Sequence, residues 1–258
     1  MSLVLHCGGA TVTRDDVLNV ITPEATKTHF PVPHSKLLES IERVLQTESG
    51  YQITKTTHAL SHEGKRYFGL LEVQAPNGGY ADRTLMVGCR NSHDRSFAID
   101  FTLGSRVFVC DNLSFSGEVK LDGHVDRPGY IPNTSRRKHT RHAINDLSRM
   151  VSATVGRLGD HRKKQDLRIA AYKTAELNDK DTHDLVIKAV ECKAIPGQQI
   201  MAVLEQWRKP AYEEFEPRTM WSLFNGFTHV YKEGSLELTR KRSQSLHGLF
   251  DAYIGLAV

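Results

Sequence analysis

The chain has 258 residues, of which 39% are hydrophobic and 25% are charged, a composition typical of a globular protein. No run of about 18 apolar residues occurs, which excludes a membrane-spanning helix, and we expect no secretory signal at the start. The four cysteines are widely spaced, so neither a disulfide framework nor a zinc ribbon is indicated. These features predict a protein of a reducing, cytoplasmic compartment.

Positive charge is concentrated in one part of the chain, although the net charge is only +4. Residues 136–168 hold ten Lys and Arg against three Asp and Glu, a net charge of +7, whereas residues 1–135 carry −2 and residues 169–258 carry −1. Such a concentration of positive charge is typical of a surface that binds a polyanion.

The first 34 residues are predicted to form an irregular N-terminal arm, because three prolines interrupt regular structure there. Within the arm, Arg14–Val20 is predicted to form a short helix capped by Thr13. A clearer helix is predicted over 35–47, where apolar residues recur at helical spacing and Ser35 can cap the first turn.

From residue 51 onward the apolar pattern changes to that of strands separated by turns. Turns are expected at 62–65, 76–79 and 104–105, where Gly, Asn or Pro residues occur. We predict an antiparallel β-meander of five or six strands. After a first strand that begins at Tyr51, the predicted strands are 66–74, 83–90, 96–103, 106–111 and 118–124.

Helices are predicted to dominate after a loop at 126–135. The strongest prediction is a long basic helix over 135–158, which carries an apolar stripe at helical spacing. Further helices are predicted over 167–176, 182–192, 198–208, 218–232 and 242–256. The order of helix, strands and helices predicts an α+β fold. We expect residues 35–258 to form a single domain that is β-rich over 51–124 and helical over 135–258.

The predicted basic helix is the main candidate for a binding surface. Phosphate binding needs closely spaced cations, and a helix with one cationic face supplies them. The candidate nucleic-acid contacts are Arg136, Arg137, Lys138, Arg141, Arg149, Arg157, Lys163 and Lys164. The same run is also typical of a solvated helix face or of intramolecular ion pairs, and both interpretations stay open.

Histidine is a common metal ligand, and several histidine pairs are candidates for a metal site. The pairs considered are His58 with His62, His139 with His142, and His93 with Asp94. Because the chain has 13 histidines, chance pairs are expected, and we predict no metal or cofactor. The segment 91–96 is interpreted as a polar β-turn, with an acid–base pair of His93 and Asp94 as the alternative.

Motifs for ATP binding (GxxxxGK[ST]) and for a hydrolase nucleophile (GxSxG) do not occur in the sequence, so we do not predict an enzyme. Aromatic side chains in the predicted strands are able to stack on nucleic-acid bases, although most are expected in the core. These residues are Tyr67, Phe68, Phe97, Phe101 and Phe108.

The segment from Asn91 to Leu113 resembles a family of phage and plasmid proteins of unknown function. The usual pattern of that family is N-S-H-D-G-S, an apolar strand, and then R-[VF]-x-C-x-N-x-L. The residues that match it are Asn91, Ser92, His93, Asp94, Arg106, Cys110 and Asn112. With Lys138-His139-Thr140, Trp207 and Arg218-Thr219-Met220-Trp221, the resemblance covers about residues 35–235. Arg95 departs from the pattern, which has glycine there.

The resemblance implies an origin in a mobile genetic element and assigns neither an activity nor catalytic residues. The predicted architecture is also similar to that of the single-strand annealing recombinases of the RecT and Red-beta kind, as an analogy of fold only. The leading hypothesis is therefore a phage or plasmid protein that binds or anneals single-stranded DNA without ATP, as an oligomer. The alternatives are a protein that binds a host protein and, third, a metal-dependent enzyme.

Overall fold

The computed structural model describes residues 9–48, 50–76, 78, 83–107, 113–115, 136–231 and 236–256. The chain divides into two compact units. Unit 1 consists of residues 1–104 and 117–158, and unit 2 consists of residues 105–116 and 159–258. The strands predicted over 51–103 thus belong to unit 1, and most of the predicted helical half belongs to unit 2.

Unit 1 combines an antiparallel sheet with helices. Its strands are β1 (Ala10–Val12), β2 (Gln52–Ser61), β3 (Arg66–Gln74), β4 (Arg83–Ser92) and β5 (Ile99–Val107), which lie side by side in that order. Strand β5 runs on past Gly104 into unit 2. Its helices are α1 (Arg14–Leu18), α2 (His34–Arg43), which continues as a π-helical turn over Val44–Glu48, and α3 (Ala143–Val155). The fold class predicted from the sequence, α+β with a β-meander and a helical C-terminal half, is confirmed.

Unit 2 contains β6 (Leu113–Phe115) and a set of helices. They are α4 (Leu158–Thr174), α5 (Asp179–Glu191), α6 (Ile200–Arg208), α7 (Met220–Val230) and α8 (Leu236–Tyr253). Helix α7 is buried on nearly every side, from Met220 to Thr228, and its sequence is mainly apolar. A partly buried ion pair joins Arg168 on α4 to Asp251 on α8, and the Tyr172 hydroxyl donates to the same carboxylate over 2.7 Å. No helix in the described part of the chain is long and apolar enough to cross a membrane.

The core of unit 1 lies between one face of the sheet and the helices. Gly69 pairs with Cys89 and Tyr67 pairs with Asn91, so the odd-numbered residues of β3 and β4 share one face. That face packs against the apolar stripes of α2 and α3. The core side chains include Tyr67, Leu71, Val87 and Phe101 from the sheet and Leu37, Leu38, Ile41, Leu147 and Val151 from the helices.

The N-terminal arm is more regular than predicted. The short helix is confirmed over Arg14–Leu18, and the Thr13 hydroxyl accepts from the Asp16 amide over 3.2 Å in a capping box. Strand β1, which sequence analysis missed, extends the sheet by pairing with β2. Val17 is fully buried, so this arm contributes to the core of unit 1.

Two predictions of secondary structure were wrong. The turn predicted at 104–105 does not form, because β5 continues through Gly104 to Val107. The helix predicted over 135–158 begins only at Ala143, because β7 (Arg136–Arg137) pairs with Ile99 and Asp100 of β5. Pairing with a distant strand thus overrides the local helix propensity. The strand predicted over 118–124 lies outside the described residues.

Candidate nucleic-acid interface

The basic run does not form one helical face. Arg137 pairs with Asp146 of α3, with 2.7 Å between Nη2 and the carboxylate, and both side chains are about two-thirds buried. Arg137 therefore serves as an intramolecular ion pair, which is one of the two alternatives that the sequence left open. The backbone of Arg136 pairs with Asp100 of β5, so Arg136 and Arg137 lie in a strand and not on the predicted basic helix.

The other predicted contacts are spread over separate elements. Arg149 is exposed on α3, whereas Arg157 follows the end of that helix and is half-buried. Lys163 and Lys164 are exposed on α4, which belongs to unit 2. The eight cations therefore do not line a single helix.

Lys138 and Arg141 are exposed in the loop that joins β7 to α3, and this loop is held by the N-terminal arm. The Phe30 amide donates to the His139 carbonyl oxygen over 3.0 Å. The Arg141 guanidinium lies over the half-buried Phe30 ring, with 5.4 Å between Cζ and the ring centroid. These contacts fix two cations at one end of the sheet of unit 1.

The motif turn, residues 91–96, meets the same arm. The Asn91 amide nitrogen and the His93 Nε2 both lie within hydrogen-bond distance of the Val32 carbonyl oxygen, at 2.7 Å and 3.0 Å. The Ser92 hydroxyl donates to the Phe97 carbonyl oxygen over 2.6 Å and closes the turn from inside. Asn91, Ser92 and His93 therefore hold the turn and the arm together.

The Asp94 carboxylate accepts hydrogen bonds from Arg66 and Ser96. The Arg66 Nε donates to its carboxylate over 2.7 Å, and the Ser96 amide donates over 3.0 Å. Although partial burial raises the pKa of Asp94, the hydrogen bonds from Ser96 and Arg66 outweigh it and bring the pKa to about 2. The geometry thus favours the β-turn interpretation over an acid–base pair of His93 and Asp94.

Arg95 adopts the left-handed backbone conformation, with a φ of 65°. Glycine takes this conformation without steric cost, which explains how a turn of this shape suits the N-S-H-D-G-S pattern. The exposed Arg95 side chain donates from Nη2 to the Thr26 hydroxyl of the arm over 3.1 Å. Backbone strain of this kind is concentrated at functional sites, so the arginine at this position is a candidate binding residue.

A group of four exposed cations therefore surrounds this end of the sheet, and we name it the cationic rim. Its members are Arg95, Lys138, Arg141 and Lys27, which directly follows Thr26, the residue whose hydroxyl accepts from Arg95. Among the described residues, no carboxylate lies within ion-pair distance of these four side chains. Two carboxylates on neighbouring turns are neutralised, since Glu63 pairs with Lys65 and Asp94 pairs with Arg66.

Buried histidines lie beneath the rim. His29 and His139 are each more than nine-tenths buried, with 4.9 Å between their ring centroids. Burial, together with the nearby His29 and His93, lowers the pKa of His139 to about 4. The buried histidines are therefore neutral at pH 7, and the positive charge of this end comes from the rim.

The strand aromatics divide between the two faces of the sheet. Tyr67 and Phe101 are fully buried in the core, as expected for most of this group. Phe68 lies on the opposite face, paired with Arg90 across β3 and β4, and is half-buried. Its ring contacts the half-buried Phe97, with 5.4 Å between centroids. Phe108 lies outside the described residues.

The candidate metal pairs are not assembled. His58 is buried and bonds to the Tyr67 hydroxyl over 3.0 Å, whereas His62 is exposed in the β2–β3 turn. His139 is buried and His142 is exposed. In the part of the chain that is described, no three His, Cys, Asp or Glu side chains lie close enough together to hold a metal ion.

Sequence reasoning missed Lys27 and Arg95, which lie far from the basic run along the chain. Arg95 could have been found because it replaces the glycine of the N-S-H-D-G-S pattern, whereas no local pattern marks Lys27. Among the remaining family-motif residues, Arg106 lies in β5, and Cys110 and Asn112 fall outside the described residues.

Comparisons with protein-family models, with curated proteins and with solved structures found no match to this chain.

Proposed function

We propose that this protein binds single-stranded DNA through the cationic rim, as a phage or plasmid protein that acts in annealing or recombination without ATP. The observation that carries the proposal is the convergence of Lys27, Arg95, Lys138 and Arg141 at one end of unit 1, without carboxylate partners among the described residues. These cations come from loops and turns that are distant along the chain, so the positive surface is a product of the fold.

The charge at this end favours a polyanion. Four exposed cations on neighbouring loops attract phosphates, and binding releases the counterions condensed on the nucleic acid. Pairing of Glu63 with Lys65 and of Asp94 with Arg66 removes two opposing charges, and Glu24 is the only carboxylate of the arm between residues 17 and 34. Affinity is therefore expected to fall as the salt concentration rises.

The test is fluorescence anisotropy of a labelled single-stranded oligonucleotide, titrated with the full-length protein at several salt concentrations. In the double variant Lys138→Glu/Arg141→Glu, we expect affinity to fall by about tenfold or more. The slope of log K against log salt should become shallower by about 1.4, since two phosphate contacts on a single strand are lost.

A charge-matched control distinguishes the effect of the rim on affinity from the effect of net charge. The variant Lys180→Glu/Lys209→Glu makes the same change in net charge at two exposed positions of unit 2. We expect it to retain most of the affinity and the wild-type salt slope. An equal loss in both variants, or no binding by the wild-type protein at low salt, would refute the proposal.

A further inference from the structure

We infer that Phe68 and Phe97 form a stacking site for unpaired nucleobases of the strand whose phosphates meet the cationic rim. The inference rests on the proposed function and deepens it, because it states why single strands are preferred to duplexes. Phe68 lies on the face of the sheet opposite the core and contacts Phe97 of the neighbouring turn, and both residues are partly exposed.

The two rings are placed by elements that do not depend on a ligand. Phe68 is fixed on β3, between the paired strands β2 and β4. Phe97 follows the motif turn, where the Ser92 hydroxyl accepts from its amide over 3.1 Å and donates to its carbonyl oxygen. A platform that is ordered before binding loses little conformational entropy when a base stacks on it.

Arg90 completes the site with a positive charge. Its guanidinium lies over the Phe97 ring, with 5.0 Å between Cζ and the centroid, and it pairs with the buried Asp100 over 3.1 Å. Arg90 therefore covers part of Phe97 and holds its orientation, and the Phe68 ring meets the Phe97 ring at an interplanar angle of 50°. Arginine and aromatic rings together are the usual surroundings of a stacked base.

The site adjoins the cationic rim through the motif turn. Arg95, a member of the rim, is two residues from Phe97, and the buried His139 ring approaches the Phe97 backbone between Lys138 and Arg141. This adjacency and the positive charge of the rim identify the occupant as a nucleotide of a polyanionic strand. In a duplex the bases are already stacked and paired, so their faces are not available to these rings.

The experiment compares three labelled ligands of equal length: an oligo-dT strand, an abasic strand with the same phosphates, and a duplex. For Phe68→Leu/Phe97→Leu, we expect binding of oligo-dT to weaken by about tenfold or more. Binding of the abasic strand and of the duplex should be unchanged, and so should the salt slope, because stacking releases no counterions.

Two further variants test whether a loss of affinity comes from the missing rings or from a disturbed fold. Tyr253→Leu removes an aromatic ring that is 41% exposed in unit 2 and should leave all three affinities unchanged. Phe97→Trp keeps a stacking ring, so it should retain the oligo-dT affinity, and its added tryptophan fluorescence should be quenched by oligo-dT and not by the abasic strand.

The outcomes separate the two proposals. If the wild-type protein binds none of the three ligands, the proposed function fails. If it binds them, but the leucine variant loses affinity equally for oligo-dT and the abasic strand, or loses none, then the stacking site is refuted and the proposed function stands. If the Phe97→Trp variant binds oligo-dT without quenching of the added fluorescence, the stacking site is refuted as well.

Discussion

The imidazole rings of His34 and His93 lie parallel, with 3.8 Å between their centroids and 1° between their planes. His34 Nε2 lies 3.0 Å from the Gly64 carbonyl oxygen, and His93 Nε2 lies the same distance from that of Val32. Each ring thus has a hydrogen-bond acceptor at one nitrogen, and the stack joins the start of α2 to the motif turn. Two protonated rings in this contact would repel each other, so the stack is stable only when at least one of the two histidines is neutral.

Acidification is therefore expected to destabilise unit 1. Burial lowers the pKa of His34 to about 3 and that of His139 to about 4, below their ordinary value of 6.5. The titratable groups that act on these rings are His93, which lowers the pKa of both, His139, which lowers that of His34, and His29, which lowers that of His139. Since the unfolded chain takes up more protons below pH 6.5, the free energy of unfolding should be highest above pH 6.5 and fall as the pH drops towards 4.

The size of this effect can be measured by urea unfolding between pH 7.5 and 4.5. Each histidine should contribute up to about 1.4 kcal/mol per pH unit. The variant His139→Phe removes one titrating group and should make the pH dependence shallower, whereas His142→Asn changes an exposed histidine and should not. Identical profiles for His139→Phe and the wild type would contradict the assignment.

Replacement of Arg95 should change the stability of the protein and its affinity for single-stranded DNA in opposite directions. Arg95→Gly relieves the left-handed backbone and is expected to stabilise the protein by about 1 kcal/mol, while it removes a cation of the rim. Calorimetry should show a rise in Tm of about 2–4 °C, and anisotropy should show weaker binding of single strands. Arg95→Ala keeps the strained backbone, so it should lose affinity without the gain in Tm.

The ion pair of Arg137 and Asp146 is expected to be structural. Arg137→Ala should lower the free energy of unfolding by about 1 kcal/mol or less, because both side chains are partly exposed. It should leave the salt slope of DNA binding unchanged, in contrast to variants of Lys138. The exchange Arg137→Asp/Asp146→Arg should recover part of the lost stability, and a shallower salt slope in Arg137→Ala would show that Arg137 meets phosphates instead.

Gly69 is required by the packing of the core. A Cβ atom at this position of β3 would collide with the Tyr67 hydroxyl and would lie only 2.8 Å from the Cys89 sulfur. Because Tyr67 is fully buried and cannot move freely, Gly69→Ala should destabilise the protein by about 1–3 kcal/mol, measured by urea unfolding. Gly78→Ala offers a control with open space around the added methyl group, although its φ of 99° carries a backbone cost of its own.

Much of the fold could be predicted from local patterns. The apolar stripe of α2, the strand segments β3 and β4, and the turn at 62–65 are set by residues close together in sequence, and each was predicted near its observed place. The cap of α1 by Thr13 is a contact over three residues and was equally visible. The excess of positive charge over 136–168 is a property of the sequence alone.

Only the tertiary structure decided what those charges do. Arg137 forms an ion pair because pairing with β5 removes it from the helix, and Arg141 is held over Phe30, which lies in an arm at the other end of unit 1's sequence. The rim gains Lys27 and Arg95 because the arm and the motif turn meet beside His139. Helix and strand periods follow from bonds between near neighbours, whereas a surface that joins distant loops depends on long-range packing, which no local pattern encodes.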